Sequence, residues 1–292
     1  MKIGLIGLGI MGTAVVEVLL IDGYTVVGYN RTKEKPSIQG LIAKGMIFAD
    51  SIHELVVAAD VIIILVSDDV ACEAIFESSD GILAHISKDK IIVDISTISP
   101  ELSIRMSHRV RDKGGTMLDA PLSGNHTIVL ERKAATMVGG DRQVFDRVVR
   151  PILLSLGPRV TFIGDNGAGL TLKVALNLSI AVQMLAFSEG VLLAERAGVD
   201  KALAVEVMTH SAIASPMLQY RGPMVLEAAR PGFFNTQMMQ KDVQLALQLG
   251  ERLRLVCIYY IMHVWCVYVC VYVQYNMTVW NLSSVEYVFV VV

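Results

Sequence analysis

Charged residues are scarce in this sequence, and neither sign dominates. Asp, Glu, Lys and Arg together make up 18% of the 292 residues, and the formal net charge at pH 7 is −3. Domains that bind nucleic acid normally carry a cluster of basic residues, so this composition argues against a nucleic-acid partner. Apolar residues account for 53% of the chain, which excludes intrinsic disorder and is enough for two domains, each with its own core.

Cysteines and histidines are few and dispersed. Three of the four cysteines lie in the last 36 residues, so a disulfide framework is not indicated. No metal-ligand spacing joins the histidines that precede residue 255, which are His53, His85, His108, His126 and His210. We therefore expect no metal. Because an apolar run begins at residue 2, we also expect no targeting segment and a cytoplasmic location.

Short apolar runs alternate with helix-like stretches from residue 2 to about residue 165. Strands are predicted at "KIGLIGL", "TVVGY", "VIIILV", "IIVDI", "TMLDA", "AATMV" and "RVTFIG", and helices over 51–59, 100–113 and 141–155. Strands that are hydrophobic throughout and alternate with helices are typical of a parallel sheet covered on both faces. We therefore predict an α/β domain with a doubly wound parallel sheet over residues 1–164.

The pattern becomes helical after Gly164. Helices are predicted over 168–197, 201–210 and 236–253, with loops at "SP" (215–216), "RGP" (221–223) and "RPG" (230–232). We therefore predict a second, all-helical domain over residues 165–254.

The last 38 residues, 255–292, differ in composition from all that precedes them. They hold both tryptophans, six of the nine tyrosines and twelve valines, but no Ala, Gly, Pro, Lys, Arg or Asp. Their first 19 residues are uncharged and long enough to span a membrane, but β-branched and aromatic residues dominate and no basic residue follows. All but six of the 38 can be encoded with thymine at the first or second codon position. We therefore interpret this tail as intron read-through or a shifted frame, and expect no membrane partner.

A glycine-rich turn, "GLGIMG", follows the first predicted strand and opens a helix. Gly7 permits the tight turn, Gly9 lets the backbone approach a pyrophosphate, and Gly12 lets the helix pack closely on the strand. The phosphates would lie over the helix N-terminus, beside Ile10 and Met11. Because a strand precedes the motif and a second strand follows its helix, we predict that this turn binds a dinucleotide.

The end of the second strand indicates which dinucleotide is bound. Enzymes that prefer NAD carry an acidic residue there for the ribose hydroxyls, whereas this chain has Asn30, Arg31 and Thr32. A carboxylate would repel a 2′-phosphate, and a guanidinium can hold one through two hydrogen bonds. We therefore predict NADP(H), with NAD as the alternative. The competing interpretation of these residues is a solvated basic loop.

A lysine interrupts the apolar stretch "GAGLTLKVALN" (167–177). In a helix Gly169, Lys173 and Asn177 lie on one face, because each follows the last by four residues. In one interpretation Lys173 extends its ammonium to the surface along its apolar stem. In the other, a lysine shielded from water beside an amide that orients the substrate is a proton donor.

Three further segments supply polar groups where ligands bind. Parallel sheets bind ligands at the carboxyl ends of their strands, and a serine hydroxyl beside a glycine amide is a compact pair of donors for a carboxylate. The segments are "DISTISP" with Ser96 and Thr97, "DAPLSG" with Ser123 and Gly124, and "QKDVQLAL" with Lys241 and Asp242.

Together these motifs resemble the β-hydroxyacid dehydrogenase family, which includes 3-hydroxyisobutyrate dehydrogenases, tartronate semialdehyde reductases and glyoxylate/succinic semialdehyde reductases. The resemblance spans residues 1 to about 254, and "NRT" (30–32) with "NGAG…K…N" is most similar to the glyoxylate/succinic semialdehyde reductase branch. It implies a Rossmann-type domain followed by a helical one, a homo-oligomer, and hydride transfer between NADP(H) and a small carbonyl or hydroxyacid substrate.

The resemblance also implies a role for each site residue, and it favours the proton-donor interpretation of Lys173. This lysine would protonate the carbonyl oxygen as hydride arrives and so neutralise the forming alkoxide. The implied substrate contacts are Ser123, Gly124 and Asn177. The implied cofactor contacts are Gly7, Gly9, Ile10, Met11, Gly12, Asn30, Arg31, Thr32, Ser67, Thr97 and Lys241.

Two departures from the family pattern fall in the substrate loop. Asn125 replaces the usual second glycine after Ser123, and "HTIVLERKAA" replaces a loop of small residues. We therefore expect Arg132 and Lys133 to crowd or recharge the pocket. The alternative functions are a non-catalytic member that keeps the cofactor-binding fold, or a chain inactivated by its tail. Retention of Lys173 favours an enzyme.

Overall fold

The computed structural model describes residues 1–226 and 235–255, which form two compact units. The described part of the first unit comprises residues 1–181 and 235–249, and that of the second comprises 182–226 and 250–255. The division falls inside a long helix that contributes to both units. The predicted domain boundary near residue 164 marks a different feature, the end of the last strand, and stays a prediction. Of the predicted tail, residues 255–292, only Leu255 is among the described residues.

The first unit contains one sheet. Its described strands are β1 (Lys2–Ile6), β2 (Thr25–Tyr29), β3 (Ile47–Phe48), β4 (Val61–Ile64), β5 (Ile91–Asp94), β6 (Thr116–Asp119), β7 (Leu122–Ser123), β8 (Ala135–Gly139) and β9 (Arg159–Gly164). Strands β1 to β6 pair in parallel in the spatial order 3-2-1-4-5-6. This order is typical of Rossmann-type domains, and it confirms the predicted doubly wound fold.

The far edge of the sheet is not parallel throughout. Strand β8 runs antiparallel to both β6 and β7, while β9 pairs in parallel with β8. Neither β3 nor β7 was predicted from the sequence. Each is two residues long, which is too short to produce a recognisable hydrophobic pattern.

Helices cover both faces of this sheet. They are α1 (Ile10–Ile21), α2 (Pro36–Ala43), α3 (Ile52–Ala58), α4 (Asp69–Glu77), α5 (Ile82–His85), α6 (Pro100–Asp112), α7 (His126–Leu130), α8 (Arg142–Val144) and α9 (Arg150–Leu153), with a π-helical turn, Phe145–Val149, between the last two. In β4, Val61 and Ile63 pack into the core that includes α1, whereas Ile62 and Ile64 pack into the core that includes α3 and α6. Both faces are therefore apolar, which is why the strand shows no alternation.

The remaining helices follow Gly164. They are α10 (Ala168–Arg196), α11 (Lys201–Thr209), α12 (Pro216–Arg221), a 3₁₀ helix (Gly222–Leu226) and α13 (Thr236–Arg252). The predicted bounds of α10, α11 and α13 are correct to within one residue. Of the loop predicted at "SP", Ser215 lies outside the helix and caps α12 by accepting from the Leu218 N–H, whereas Pro216 takes the first helical position. The loop predicted at 230–232 lies outside the described residues.

Helix α10 is long and apolar enough, by length and composition alone, to cross a membrane. Core helices of globular proteins meet the same criterion, and in the first unit α13 packs against α10. The contact joins Val174 of α10 to Leu245 and Ala246 of α13, all three buried. Because Asp242 lies about one helical turn before Leu245, this packing brings it to the part of α10 that carries Asn177.

Candidate active site

In the glycine-rich turn between β1 and α1, backbone atoms crowd Gly7 and Gly12 but not Gly9. Gly7 has a φ of +101°, and a Cβ on it would overlap the carbonyl oxygen of Leu65. A Cβ on Gly12 would overlap the carbonyl oxygen of Gly7, whereas nothing lies within 4 Å of the position that a Cβ on Gly9 would take. The chain therefore requires glycine at the first and third positions, whereas the space beside Gly9 is open.

The N-terminus of α1 is available to an anion. Gly9 is the N-cap residue and offers no side-chain hydrogen bond to the helix, so the first N–H groups lack a side-chain cap. Ile10, at the first helical position, is half exposed, and Met11 is partly exposed. Partial positive charge at this end of the helix dipole favours phosphate.

Asn30 connects the glycine-rich turn to the loop after β2. Its Oδ1 accepts from the Leu8 N–H at 3.1 Å, and its Nδ2 donates to the Thr32 carbonyl oxygen at 2.8 Å. The amide thus fixes the backbone that carries Arg31, and the Arg31 and Thr32 side chains are exposed beside the turn. This arrangement can present a guanidinium to a phosphate on the adenosine ribose.

Polar side chains tie the ends of β4 and β5 together. Ser96 Oγ accepts from the Val66 N–H at 3.0 Å, and the Ser96 N–H donates to Asp94 Oδ1 at 2.9 Å. Asp94 is fully buried. Burial raises its pKa to about 6, and the hydrogen bonds from Ser96 oppose that rise. Ser96 was predicted from the sequence and Asp94 was not, although an acidic residue at the end of an apolar strand is a recognisable signal.

Lys241 reaches this edge of the sheet from α13. Its ammonium donates to the Thr97 carbonyl oxygen and lies 2.9 Å from Asp242 Oδ1. The pKa of Asp68 is lowered, chiefly by a hydrogen bond from an α4 backbone N–H, and to a lesser degree by the Ser67 hydroxyl and the Lys241 charge. The structure therefore brings Ser67, Thr97 and Lys241 into one neighbourhood.

Asp242 extends this network to α10. Asn177 Nδ2 donates to Asp242 Oδ2 at 2.5 Å, and the two residues are 3% and 1% exposed. Lys173 lies one turn before Asn177 and is 9% exposed. This burial argues against the interpretation in which the Lys173 ammonium reaches the surface. Its role as a proton donor stays a prediction.

The predicted carboxylate contacts lie at the short strand β7. Ser123 pairs with Ala135 of β8, and Gly124 follows with a φ of +152°. A Cβ on Gly124 would lie 2.9 Å from Ile128 Cγ2, so glycine suits this position. Asn125, the departure from the family pattern, caps α7 by accepting from the Ile128 N–H at 2.9 Å. The unusual residue therefore begins a helix.

The structure contradicts the expectation that Arg132 crowds or recharges the pocket, and the expectation for Lys133 stays a prediction. Arg132 makes two hydrogen bonds to the Asp22 carboxylate, of 2.9 and 2.5 Å, and Lys133 pairs with Glu131. Helix α1 begins at the carboxyl end of β1, so Asp22, just past its last residue, lies at the opposite edge of the sheet. The charge of Arg132 is therefore directed away from the predicted site.

Asp119, at the end of β6, holds the start of α10. Its carboxylate accepts from the Gly167 N–H at 2.7 Å and from the Leu170 N–H at 2.9 Å. Burial raises its pKa to about 6, and these two hydrogen bonds oppose the rise. The motif "DAPLSG" itself indicates no role for Asp119, because the partners of its carboxylate lie 48 and 51 residues further along the chain.

The described residues contain other polar features that are not among the predicted site residues. No group of three or more His, Cys, Asp or Glu side chains there could hold a metal. His53 stacks on His85 with ring centroids 4.0 Å apart, and His126 begins α7. A polar cavity of about 640 Å³ beside α6 is lined by none of the predicted site residues.

Comparison with known proteins covers both predicted domains. The NAD-binding domain of 6-phosphogluconate dehydrogenase matches residues 2–164, and the NAD-binding domain of NADP-dependent 3-hydroxyisobutyrate dehydrogenase matches residues 167–260. The chain is 36% identical to 2-hydroxy-3-oxopropionate reductase of Escherichia coli (strain K12), over 87% of this chain and 86% of the relative. It is 30% identical to glyoxylate/succinic semialdehyde reductase 1 of Arabidopsis thaliana, over 86% of each chain.

A solved structure is also similar to this chain over most of its length. The crystal structure of 3-hydroxyisobutyrate dehydrogenase from Salmonella typhimurium superposes with a TM-score of 0.82 at 25% sequence identity. The match covers 92% of this chain and 93% of that one.

Proposed function

Since this chain belongs to the β-hydroxyacid dehydrogenase family, we propose that it is an NADP(H)-dependent reductase of a small aldehyde that carries a carboxylate. Members of this family are NAD(P)-dependent hydroxyacid dehydrogenases. The named substrates of two relatives, 2-hydroxy-3-oxopropionate and glyoxylate or succinic semialdehyde, share an aldehyde and a carboxylate. That shared chemistry defines the proposed substrate class.

The observation that carries the proposal is the burial of Lys173 beside a polar network. Asn177, one turn from Lys173, donates to Asp242, which pairs with Lys241, and Lys241 donates to the Thr97 carbonyl oxygen. The network supports a site in which Lys173 and Asn177 act together on one bound group.

The cofactor would be held by residues of the first unit. Gly9 leaves space for the pyrophosphate at the start of α1, while Gly7 and Gly12 allow the close backbone packing that forms the turn. Arg31 would pair with a 2′-phosphate, because a guanidinium matches two phosphate oxygens, and this is the basis for proposing NADP(H) over NAD. When bound, the reduced nicotinamide supplies hydride.

Residues of this chain would then supply the proton and the orientation. Ser123 Oγ and the Gly124 N–H would donate to the substrate carboxylate, which turns the aldehyde toward α10. Asn177 would hold the carbonyl oxygen, and Lys173 Nζ would transfer a proton to that oxygen as the carbon gains hydride. The products would be the hydroxyacid, the oxidised dinucleotide and a neutral Lys173 amine, which regains its proton from water.

A homo-oligomer in the cytoplasm is proposed with this activity. The alternative is a non-catalytic member that binds the dinucleotide through the same turn. It predicts tight cofactor binding without turnover, so the two functions are distinguished by one set of measurements.

The experiment is a panel of carbonyl substrates assayed with NADPH and with NADH. Glyoxylate, succinic semialdehyde and 2-hydroxy-3-oxopropionate are the test substrates, and aldehydes of equal length without a carboxylate are the controls. We expect turnover of at least one carboxylate-bearing aldehyde, higher kcat/KM with NADPH, and little turnover of the controls. Cofactor binding without turnover of any substrate would contradict the proposal and favour the alternative.

A further inference from the structure

Asp119 is fully buried at the carboxyl end of β6, and none of the roles proposed above uses it. Its Oδ1 accepts from the Gly167 N–H and its Oδ2 from the Leu170 N–H. These N–H groups lie at the start of α10, where helix donors have no partner within the helix. A carboxylate 48 residues earlier in the sequence thus caps α10.

The helix that Asp119 caps carries Lys173 one turn further on. Leu170 precedes Lys173 by three residues, so the capped N–H and the lysine are separated by less than one helical turn. Hydrogen bonds to an ionised acceptor are stronger than neutral ones. The start of α10 is therefore fixed to the sheet, and the position of Lys173 depends on that attachment.

Two glycines enclose the Asp119 carboxylate. A Cβ on Gly139 would lie 2.7 Å from its Oδ1, and a Cβ on Gly169 would lie 2.8 Å from its Oδ2. The Gly169 Cβ would also overlap the carbonyl oxygen of Met137 in β8. Helix α10 thus rests directly on the sheet, which explains the glycine one turn before Lys173 on the same helical face.

Asp119 also begins the segment that carries the proposed carboxylate contacts. It is the last residue of β6, and Ser123 and Gly124 follow within five residues. One side chain therefore joins the substrate-binding segment to the helix of the proton donor. Misplacement of a catalytic group by about 1 Å can cost on the order of 10²-fold in rate.

We infer that Asp119 is a positioning residue that holds the first turn of α10 and so sets where Lys173 stands relative to Ser123 and Gly124. The inference rests on the proposed function, because Asp119 acts through Lys173 and touches no reacting atom. Asn cannot replace it fully, since a carboxamide offers one acceptor oxygen to two backbone donors and places an N–H against one of them.

The test compares Asp119→Asn with Asp141→Asn. Asp141 is a surface control: one oxygen of its exposed carboxylate accepts from two backbone N–H groups at a helix start, those of Gln143 and Val144. We expect Asp119→Asn to lower kcat by about 10- to 100-fold while the Kd for NADPH changes by less than about threefold. Asp141→Asn should leave both unchanged. Wild-type kcat in Asp119→Asn would overturn the inference.

The same substitution is then made in the Lys173→Ala enzyme. Because Asp119 acts through Lys173, its loss should lower the residual kcat by less than about threefold in this background. An equal loss in both backgrounds would show a general effect on the fold and overturn the inference. Lys173→Ala with wild-type kcat would refute the proposed function, and the inference with it. If kcat falls in Lys173→Ala but not in Asp119→Asn, the inference is refuted and the proposed function is not.

Gly169→Ala tests the attachment of α10 to the sheet by a different change. It is the deciding test of the inference if Asp119→Asn does not fold. Alanine forms helix better than glycine, so the helix itself is strengthened while its start is pushed away from Asp119 and Met137. We expect the same loss of kcat, and little further loss in the Lys173→Ala background. Unchanged kcat in Gly169→Ala would overturn the inference.

Discussion

Asn177 and Asp242 form a buried hydrogen bond of 2.5 Å between two helices, across 65 residues of sequence. Asp242 is 1% exposed, and its second oxygen lies 2.9 Å from the Lys241 ammonium. A buried carboxylate is costly unless such partners satisfy it. The pair therefore fixes α13 against the part of α10 that carries Lys173.

A double-mutant cycle measures this relationship. Asn177→Ala and Asp242→Ala should each lower the free energy of unfolding by about 1–3 kcal/mol, because each leaves a buried polar partner without its hydrogen bond. The double variant should be less destabilised than the sum, by about 0.5–3 kcal/mol. Denaturant unfolding provides the measurement. Asn177→Ala combined with the distant Asp141→Ala is the control, and additivity in both pairs would contradict the coupling.

Arg31→Ala should weaken NADPH far more than NADH. Only NADPH carries the 2′-phosphate with which the guanidinium would pair, and loss of a charge-assisted pair costs about 1.5–3 kcal/mol, or roughly ten- to a hundredfold in affinity. Cofactor titration by fluorescence tests this. Arg159→Ala, at an exposed position at the start of β9, is the control. Equal effects of Arg31→Ala on both cofactors would mean that Arg31 belongs to a solvated loop.

The stability of the chain should depend on pH through Asp119. Burial raises its pKa from an ordinary value of 3.8 to about 6, so the folded state binds more protons than the unfolded state between these values. Its contribution to stability is therefore fully present below about pH 4 and is lost as pH rises through about 6.

Asp119→Asn, which cannot ionise, isolates this contribution. The quantity to follow is the unfolding free energy of the wild type minus that of the variant, in which the titration of groups common to both proteins largely cancels. This difference should fall as the pH rises from 4.5 to 7.5. Denaturant unfolding at several pH values measures it. A difference that rises with pH would show that hydrogen bonding outweighs desolvation at Asp119.

The tail from about residue 255 should be absent from the mature message. Its valine-, tyrosine- and cysteine-rich composition is what thymine-rich non-coding sequence would encode, and an apolar, β-branched segment of this kind promotes aggregation. Sequencing of the transcript is the measurement. A mature message that encodes the tail intact, in a protein that is soluble and active, would refute the interpretation.

Most of the fold was predictable because its signals are local. Continuous apolar strands and the glycine-rich turn each follow from neighbouring residues. So does the start of α6, where Ser99 caps the helix by accepting from the Leu102 N–H and Pro100 is the first helical residue. What was missed depends on contacts between distant segments. Strand β7 exists only because it pairs with β8, and a hydrophobic pattern two residues long carries no information about its partner.

In the candidate site, too, contacts between distant segments could not be predicted. Motif spacing singled out Lys173, Asn177 and Lys241, but the hydrogen bonds that join α10 to α13 and to Asp119 span 48 to 65 residues. The expectation for Arg132 failed for a related reason. Its charge was visible in the sequence, whereas its partner Asp22, 110 residues away, was not.

The central claim is that Lys173 is the proton donor, and the turnover of Lys173→Ala tests it most directly. With NADPH and the best substrate of the panel, kcat should fall by about 10²- to 10⁴-fold, while the Kd for NADPH stays within about threefold of the wild type. Lys113→Ala, at an exposed lysine just after α6, should leave kcat unchanged. A Lys173→Ala enzyme with kcat within about threefold of the wild type would contradict the account.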